Sequence, residues 1–206
     1  FTAKEIIPAA EEHDREAKFP EEIFHKARAL GLANMNVPEE YGGMGASVLD
    51  ECLVSEEMAY GCSGISTSVG TNGLGSLPLL LGGNDAQKKY WLGERLVDNG
   101  EFVSYCVTES SAGSNVVAIE TRAEKKGASY ILNGSKIFIT NASHANFFTV
   151  AAKTDPNAGS KGISLILVEA DRAGFKRGRN LDKVGQNSAD TSELFFEDVR
   201  IPITNC

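Results

Sequence analysis

The sequence has little of what marks a membrane protein, a nucleic-acid-binding protein or a disulfide-stapled domain. Its 206 residues contain no apolar run of about 18 residues, so no membrane span is predicted. The formal net charge is −8, whereas a nucleic-acid surface needs a positive excess to neutralise phosphate. The three histidines are too scattered to predict a metal site. Four widely spaced cysteines predict reduced, mostly buried thiols: Cys52, Cys62, Cys106 and Cys206.

The composition is that of an ordinary folded protein. Apolar residues make up 42% and charged residues 23%, close to average soluble usage. The length suits one large domain or two modest ones of roughly 100–150 residues each. A chain of this length buries a sizeable core without metal or disulfide staples.

Residues 1–100 show helical patterns. Apolar residues at helical spacing predict a helix over residues 20–30. Two capping boxes predict further helix starts, at Ser47 with Asp50 and at Asn84 with Gln87. Small residues dominate positions 62–81, where each of three glycines weakens a helix by about 1 kcal/mol.

Residues 101–206 show strand patterns. Asn133-Gly134 between two apolar triplets predicts a β-hairpin turn, and further strands are predicted at 147–152, 162–168 and 194–196. Strands without intervening helices favour an antiparallel sheet that folds as a barrel or sandwich. The predicted fold class is therefore α+β, with a helical domain over residues 1–100 and an antiparallel β-barrel or sandwich domain over residues 101–206.

Two segments of the second half have residues suited to binding a ligand. Residues 105–115 (YCVTESSAGSN) begin as a strand and continue into small polar residues, which let a phosphate or a polar ring edge approach the main chain. In residues 136–141, Phe138 and Thr140 share one face of a strand and suit a flat heterocycle. Taken singly, each segment equally fits a plainer interpretation: a strand with a polar surface turn, and a half-buried strand with its phenylalanine inside.

Taken together and in order, the two segments resemble the two flavin-binding stretches of the acyl-CoA dehydrogenase family, with the medium-chain type nearest. Further matches run along the whole chain, at residues 38–43 (PEEYGG), 82–89 (GGNDAQKK), 183–186 (KVGQ) and 195–202 (FFEDVRIP). Departures from the family pattern are Ser110-Ser111 in place of Pro-Gly, Asn115 in place of Asp, and Phe138 in place of Trp.

The resemblance implies roles for particular residues. Phe138 would lie against the isoalloxazine ring, Thr140 near its reactive nitrogen, and Ser114 would also reach the CoA moiety. Ser66 and Gly70 would line the acyl pocket, although small residues there equally fit a tightly packed helix pair. The full set implied to hold FAD is Tyr105, Cys106, Val107, Thr108, Glu109, Gly113, Ser114, Phe138, Ile139 and Thr140.

The resemblance also implies an activity. Members of the family remove a proton from the α carbon of a fatty acyl-CoA and transfer hydride from its β carbon to FAD, as in fatty acid β-oxidation. The family base is a Glu of a C-terminal helical bundle, and we expect this chain to lack that bundle because it ends at Cys206. The resemblance further implies an electron-transferring flavoprotein as acceptor, a homotetramer, and a location in the mitochondrial matrix of a eukaryote or otherwise in the cytoplasm.

Two alternatives from the sequence stay open. One is a truncated, non-enzymatic module that binds flavin, acyl-CoA or a partner protein. The other is a relative such as an acyl-CoA oxidase or a nitroalkane oxidase. A visible absorption spectrum separates the flavoprotein hypotheses from a module that lacks flavin.

Overall fold

Helices and strands separate along the chain of the computed structural model, which describes residues 1–206. One unit comprises Phe1–Phe102 and Asp182–Asp190, and the other comprises Val103–Leu181 and Thr191–Cys206. The predicted order of a helical domain followed by a β domain is confirmed. A single boundary near residue 100 does not anticipate that the short segment Asp182–Asp190 belongs to the helical unit.

Both predicted capping boxes are formed at helix starts of the helical unit. The Ser47 hydroxyl accepts a hydrogen bond from the amide of Asp50, and the Asn84 side chain accepts one from the amide of Gln87. A cap of this kind contributes about 1 kcal/mol. The helices are α1 (Ile7–Arg15), α2 (Glu21–Ala29), α3 (Val48–Gly61), α4 (Ser63–Gly82) and α5 (Asp85–Lys88), with π-helical stretches at Thr2–Ile6 and Lys89–Asp98.

The longest helix, α4, is continuous over 20 residues despite its internal glycines and Pro78. Each such glycine costs about 1 kcal/mol relative to alanine and proline about 3 kcal/mol. Ile65 and Val69 are fully buried, and burying a side chain of that size contributes about 1.5–3 kcal/mol. Asn72 adds hydrogen bonds of 3.0 Å to Asn34 Oδ1 and to the carbonyl of Glu101. Tertiary contacts therefore maintain a helix that intrinsic propensity disfavours.

The β unit is built on one seven-stranded sheet. The strands are β1 (Val103–Cys106), β2 (Arg122–Lys126), β3 (Ser129–Thr140), β4 (Phe147–Lys153), β5 (Ile163–Glu169), β6 (Phe175–Asn180) and β7 (Thr191–Pro202). Their order in the sheet is β1-β4-β2-β3-β7-β6, and β5 pairs with β4. The sheet, expected to be antiparallel throughout, is mixed, because β1 runs parallel to β4 while β4–β5 and β3–β7 are antiparallel. The long connection between β1 and β4 permits this parallel pairing.

The hairpin turn predicted at Asn133-Gly134 is wrong. Strand β3 runs through both residues, and the turn into it is Gly127-Ala128, where the pairing of β2 with β3 begins. Asn133 instead exchanges hydrogen bonds with Asp198 of β7, at 3.0 Å between the side chains and 2.8 Å from the Asp198 amide. One extra β7 residue faces this point, so the dipeptide marks a β-bulge.

The sheet core is centred on β4, whose first six residues are all buried. A strand that is covered on both faces has an almost continuous run of apolar residues, and residues 147–152 (FFTVAA) show this pattern.

The expectation of mostly buried thiols is wrong, because Cys106 alone among the four free cysteines is buried. No helix combines the length and the apolar character needed to cross a bilayer.

Candidate functional site

The two segments singled out in the sequence lie side by side in the β unit. The amide of Ile137 donates to the carbonyl of Thr108 at 2.9 Å. The Lys136 ammonium donates to the carbonyl of Val107 at 2.9 Å. The stretch that follows β1 is therefore joined to the last part of β3, and residues almost 30 positions apart form one local surface.

The most unusual residue of this surface is Phe138. Its φ is +61°, in the left-handed region that aromatic residues rarely adopt, and 62% of the residue is exposed. The pairing with β7 gains one β3 residue between Lys136 and Ile139, so a β-bulge turns Phe138 outward. A backbone strain of this kind costs about 1–3 kcal/mol and is found mostly at ligand sites. An exposed, strained aromatic at the end of a strand is a ligand-site candidate.

The end of β3 beyond Phe138 is held in place by side chains. Ser104 of β1 donates its hydroxyl proton to the carbonyl of Thr140 at 2.7 Å. Arg177 donates to the carbonyls of Ala142 and Ala145 at 2.9 and 2.6 Å. The main chain at and after the half-buried Thr140 is thus fixed, while the Thr140 hydroxyl forms no hydrogen bond within the chain.

The residues after β1 form a closed turn. The amide of Glu109 donates to the carbonyl of Ala112 at 3.0 Å, and the amide of Ala112 donates back at 3.1 Å. Ser110 and Ser111 occupy its exposed tip, so these serines do not prevent the turn from closing. Gly113 follows, is exposed, and has no atom within 4 Å of the position that a Cβ would take. The main chain here is open to a ligand.

A buried ion pair lies beneath the surface. Lys136, 1% exposed, donates to Glu109 Oε1 at 2.8 Å. The same carboxylate accepts hydrogen bonds from the amides of Glu120 and Thr121. Burial alone would raise the pKa of Glu109, but these donors outweigh burial and hold the pKa below its usual range. Burial lowers the pKa of the Lys136 ammonium, and the facing carboxylate partly offsets that effect.

The residues implied to hold FAD divide by the direction of their side chains. Those of Cys106 and Ile139 are buried, and the Glu109 carboxylate is occupied by its internal donors. Contacts from these three residues to a ligand are therefore limited to the main chain. Burial raises the pKa of the half-buried Tyr105 phenol. The structure leaves at least partly accessible Tyr105, Val107, Thr108, Gly113, Ser114, Phe138 and Thr140.

Ser66 and Gly70, the residues implied to line an acyl pocket, lie on α4 in the helical unit. Both border a cavity of about 190 Å³. The Ser66 hydroxyl donates to the carbonyl of Ser55 on α3 at 3.3 Å, and a Cβ on Gly70 would meet nothing within 4 Å. Small residues here leave space as well as packing two helices.

Sequence reasoning missed two residues. Lys136 lies in the second ligand-binding segment, and strand alternation places it on the same face as Phe138, whereas Lys136 is buried and Phe138 is exposed. Glu51 lines the cavity beside Ser66. Its signal was present, since Val54 and Met58 follow it at spacings of three and seven and place the carboxylate on an apolar helix face.

The chain matches two family models. The model described as "Acyl-CoA dehydrogenase, N-terminal domain" matches residues 1–97. The model described as "Acyl-CoA dehydrogenase, middle domain" matches residues 104–199. The two together account for most of the chain.

Individual proteins agree with the family models. A probable medium-chain specific acyl-CoA dehydrogenase 2, mitochondrial, from Caenorhabditis briggsae is 40% identical over 208 residues, covering 100% of this chain and 51% of that protein. Butyryl-CoA dehydrogenase from Megasphaera elsdenii superposes with a TM-score of 0.93 at 33% identity, over 99% of this chain and 54% of its own. A Mycobacterium smegmatis glutaryl-CoA dehydrogenase in complex with FADH2 superposes with a TM-score of 0.88 at 31% identity. The superposition covers 100% of this chain and 52% of that protein. The chain spans about half the length of the curated relatives it matches.

Proposed function

The chain belongs to the acyl-CoA dehydrogenase family of oxidoreductases, and on that premise we propose that it forms the FAD- and thioester-binding part of an enzyme that dehydrogenates fatty acyl-CoA between its α and β carbons. One observation carries the proposal: the joining of residues 107–109 to residues 136–138, with Phe138 held outward in a strained conformation. We further propose that the helical and β units act as the domains 1–100 and 101–206.

The residues on this surface fit a flavin. Phe138 offers an exposed aromatic face to a flat ring. The hydroxyls of Thr108 and Thr140 have no partner in the chain, so each is free to donate to a ring edge. Gly113 and Ser114 are exposed, which lets a phosphate approach the main chain.

When bound, FAD supplies an acceptor for hydride. The chain positions hydrogen-bond donors where negative charge develops on transfer, and fixed donors stabilise such charge without reorganising. Ser104 and Lys136 fix the main chain behind those donors. We assign Val107 and Thr108 to the pyrimidine edge, Thr140 to the reactive nitrogen, and the exposed Ser114 hydroxyl to the CoA moiety as well.

We assign the catalytic base to no carboxylate of the β-unit site. Proton abstraction needs a carboxylate within hydrogen-bond reach of the α carbon, and Glu109 is engaged with three internal donors. We place the base in the half of its relatives' length that this chain does not span. From the family resemblance we further propose that the enzyme passes its electrons to an electron-transferring flavoprotein and that the full assembly is a homotetramer. We propose the mitochondrial matrix as its location in a eukaryote, and otherwise the cytoplasm.

The test is a visible absorption spectrum of the purified protein, with and without added FAD, followed by anaerobic addition of octanoyl-CoA. The proposal expects a flavin spectrum that bleaches in the full-length protein. A colourless protein even with added FAD contradicts it. Flavin that binds but never bleaches favours the second candidate, a non-enzymatic module that binds flavin and acyl-CoA.

A further inference from the structure

The cavity of about 190 Å³ in the helical unit lies between α3, α4 and the segment that follows α2. On the α4 side, Gly70 and Gly73 contribute no side chains to the wall and so leave space there. The rest of the wall is mainly apolar, formed by Leu32, Met35, Val54, Met58, Val69 and Leu74. A site of this composition suits an aliphatic chain.

Glu51 places a carboxylate in this apolar wall. A Cβ built on Gly73 would lie 3.5 Å from Glu51 Oε1, so the carboxylate faces α4 across the glycine. The carboxylate is partly exposed, and it forms no ion pair and accepts no hydrogen bond within the chain. Burial raises its pKa. The helix start does not need Glu51 as a cap, because Asp50 completes the capping box with Ser47.

A second acceptor lies near the same glycine. Asn36 donates its Nδ2 proton to the carbonyl of Gly73 at 3.3 Å. Its Oδ1 is buried and has no hydrogen-bond partner. Two side chains beside Gly73 therefore offer acceptors that no donor of the chain satisfies. The buried Asn36 acceptor is unfavourable without a donor, and the partly exposed Glu51 carboxylate loses its water when an apolar ligand covers it; a ligand that brings a donor relieves both.

We propose that this cavity holds the far end of the acyl chain and that Glu51, with Asn36, selects chains whose end carries a hydrogen-bond donor, a hydroxyl or an ammonium group. The inference rests on the proposed function. A chain that ends in a methyl group desolvates the Glu51 carboxylate without a replacement partner. A chain that ends in a carboxylate meets a like charge, which is more unfavourable still.

The test compares four CoA thioesters of equal chain length that end in methyl, hydroxyl, ammonium or carboxylate. Their dissociation constants are measured by equilibrium dialysis against the full-length protein, anaerobically with its flavin reduced, so that no oxidation competes with binding. We expect the hydroxyl and ammonium thioesters to bind at least about tenfold more tightly than the methyl thioester, and the carboxylate thioester to bind most weakly.

Variants separate charge from acceptor. Glu51→Gln removes the ammonium advantage and strengthens binding of the carboxylate thioester, because the like charge is gone. Glu51→Ala reduces the hydroxyl preference to below about threefold, because the acceptor is gone. Glu57→Gln is the matched control on α3: its side chain is exposed, and all four affinities stay unchanged. Circular dichroism confirms that each variant is folded.

The outcomes that contradict the inference differ from those that contradict the proposed function. If no thioester binds, the proposed function fails. If the thioesters bind but methyl and hydroxyl ends are equivalent, or the preference survives Glu51→Ala, the selection by Glu51 is wrong and the acyl-CoA function stands.

Discussion

The buried pair of Lys136 and Glu109 gives the sharpest prediction. Removing one partner of a buried ion pair costs about 3–5 kcal/mol, because the other charge is left uncompensated. The two single variants are not equivalent. In Lys136→Met the Glu109 carboxylate keeps two amide donors, whereas in Glu109→Gln the ammonium loses its carboxylate and keeps the carbonyl of Val107. We therefore expect Lys136→Met to lose stability near the lower end of that range and Glu109→Gln to lose stability near its upper end.

The assay is hydrogen exchange of the β3 amides, since the single tryptophan, Trp91, lies in the helical unit and does not report on the sheet. A loss of about 3–5 kcal/mol accelerates exchange of the most protected amides by about two to four orders of magnitude. Lys126→Met is the control, because the exposed pair of Lys126 with Glu124 contributes at most about 1 kcal/mol. Wild-type protection in Lys136→Met would contradict the prediction that this pair stabilises the contact between β3 and the stretch that follows β1.

Three further predictions follow from the same unit. The pKa of Glu109 is lower in the folded than in the unfolded protein, so ionised Glu109 stabilises the fold fully above the unfolded pKa, and this stabilisation is lost as the pH falls through the folded pKa. Urea titrations at a series of pH values should show the free energy of unfolding falling over this range, and the fall should be smaller in Glu109→Gln. Phe138→Gly should raise the melting temperature of the flavin-free protein, because it removes about 1 kcal/mol of backbone strain. The same variant should bind FAD more weakly in a fluorescence titration, and tighter binding would contradict the proposed site. Gly134→Ala should destabilise the sheet by more than about 1 kcal/mol in urea melts, because φ is +147° and the new Cβ would lie 2.4 Å from Thr121 Oγ1; an unchanged midpoint would contradict this.

Local patterns predicted local structure well. Both capping boxes depend on side chains three residues apart, and both are formed as expected. Asn133-Gly134 predicts a hairpin turn from two residues alone, because the pattern does not contain the residue with which the dipeptide pairs. Asp198, 65 positions away, decides that the dipeptide faces a bulge. The parallel pairing of β1 with β4 is equally non-local, and no residue within either strand encodes it.

The candidate site was predictable in its parts and not in its arrangement. The sequence contained both segments, but the hydrogen bond that joins Ile137 to Thr108 has no local signature. The outward position of Phe138 follows from a bulge that interrupts strand alternation, and the same interruption leaves Lys136 inside. A lysine within an apolar strand was the available hint, because a charge there requires a buried partner.

The segment Asp182–Asp190 has a consequence for how the chain folds as it is synthesised. The chain passes from one unit to the other after Phe102, again after Leu181 and again after Asp190. Within the helical unit, Ser68 on α4 donates to the carbonyl of Ser188, and the amide of Asn187 donates to Asp14 on α1. When the first hundred residues have left the ribosome, the segment Asp182–Asp190 that completes the helical unit has therefore not yet been synthesised. Its final docking step waits until Asp190 has emerged, which ties the completion of the helices to the synthesis of most of the sheet.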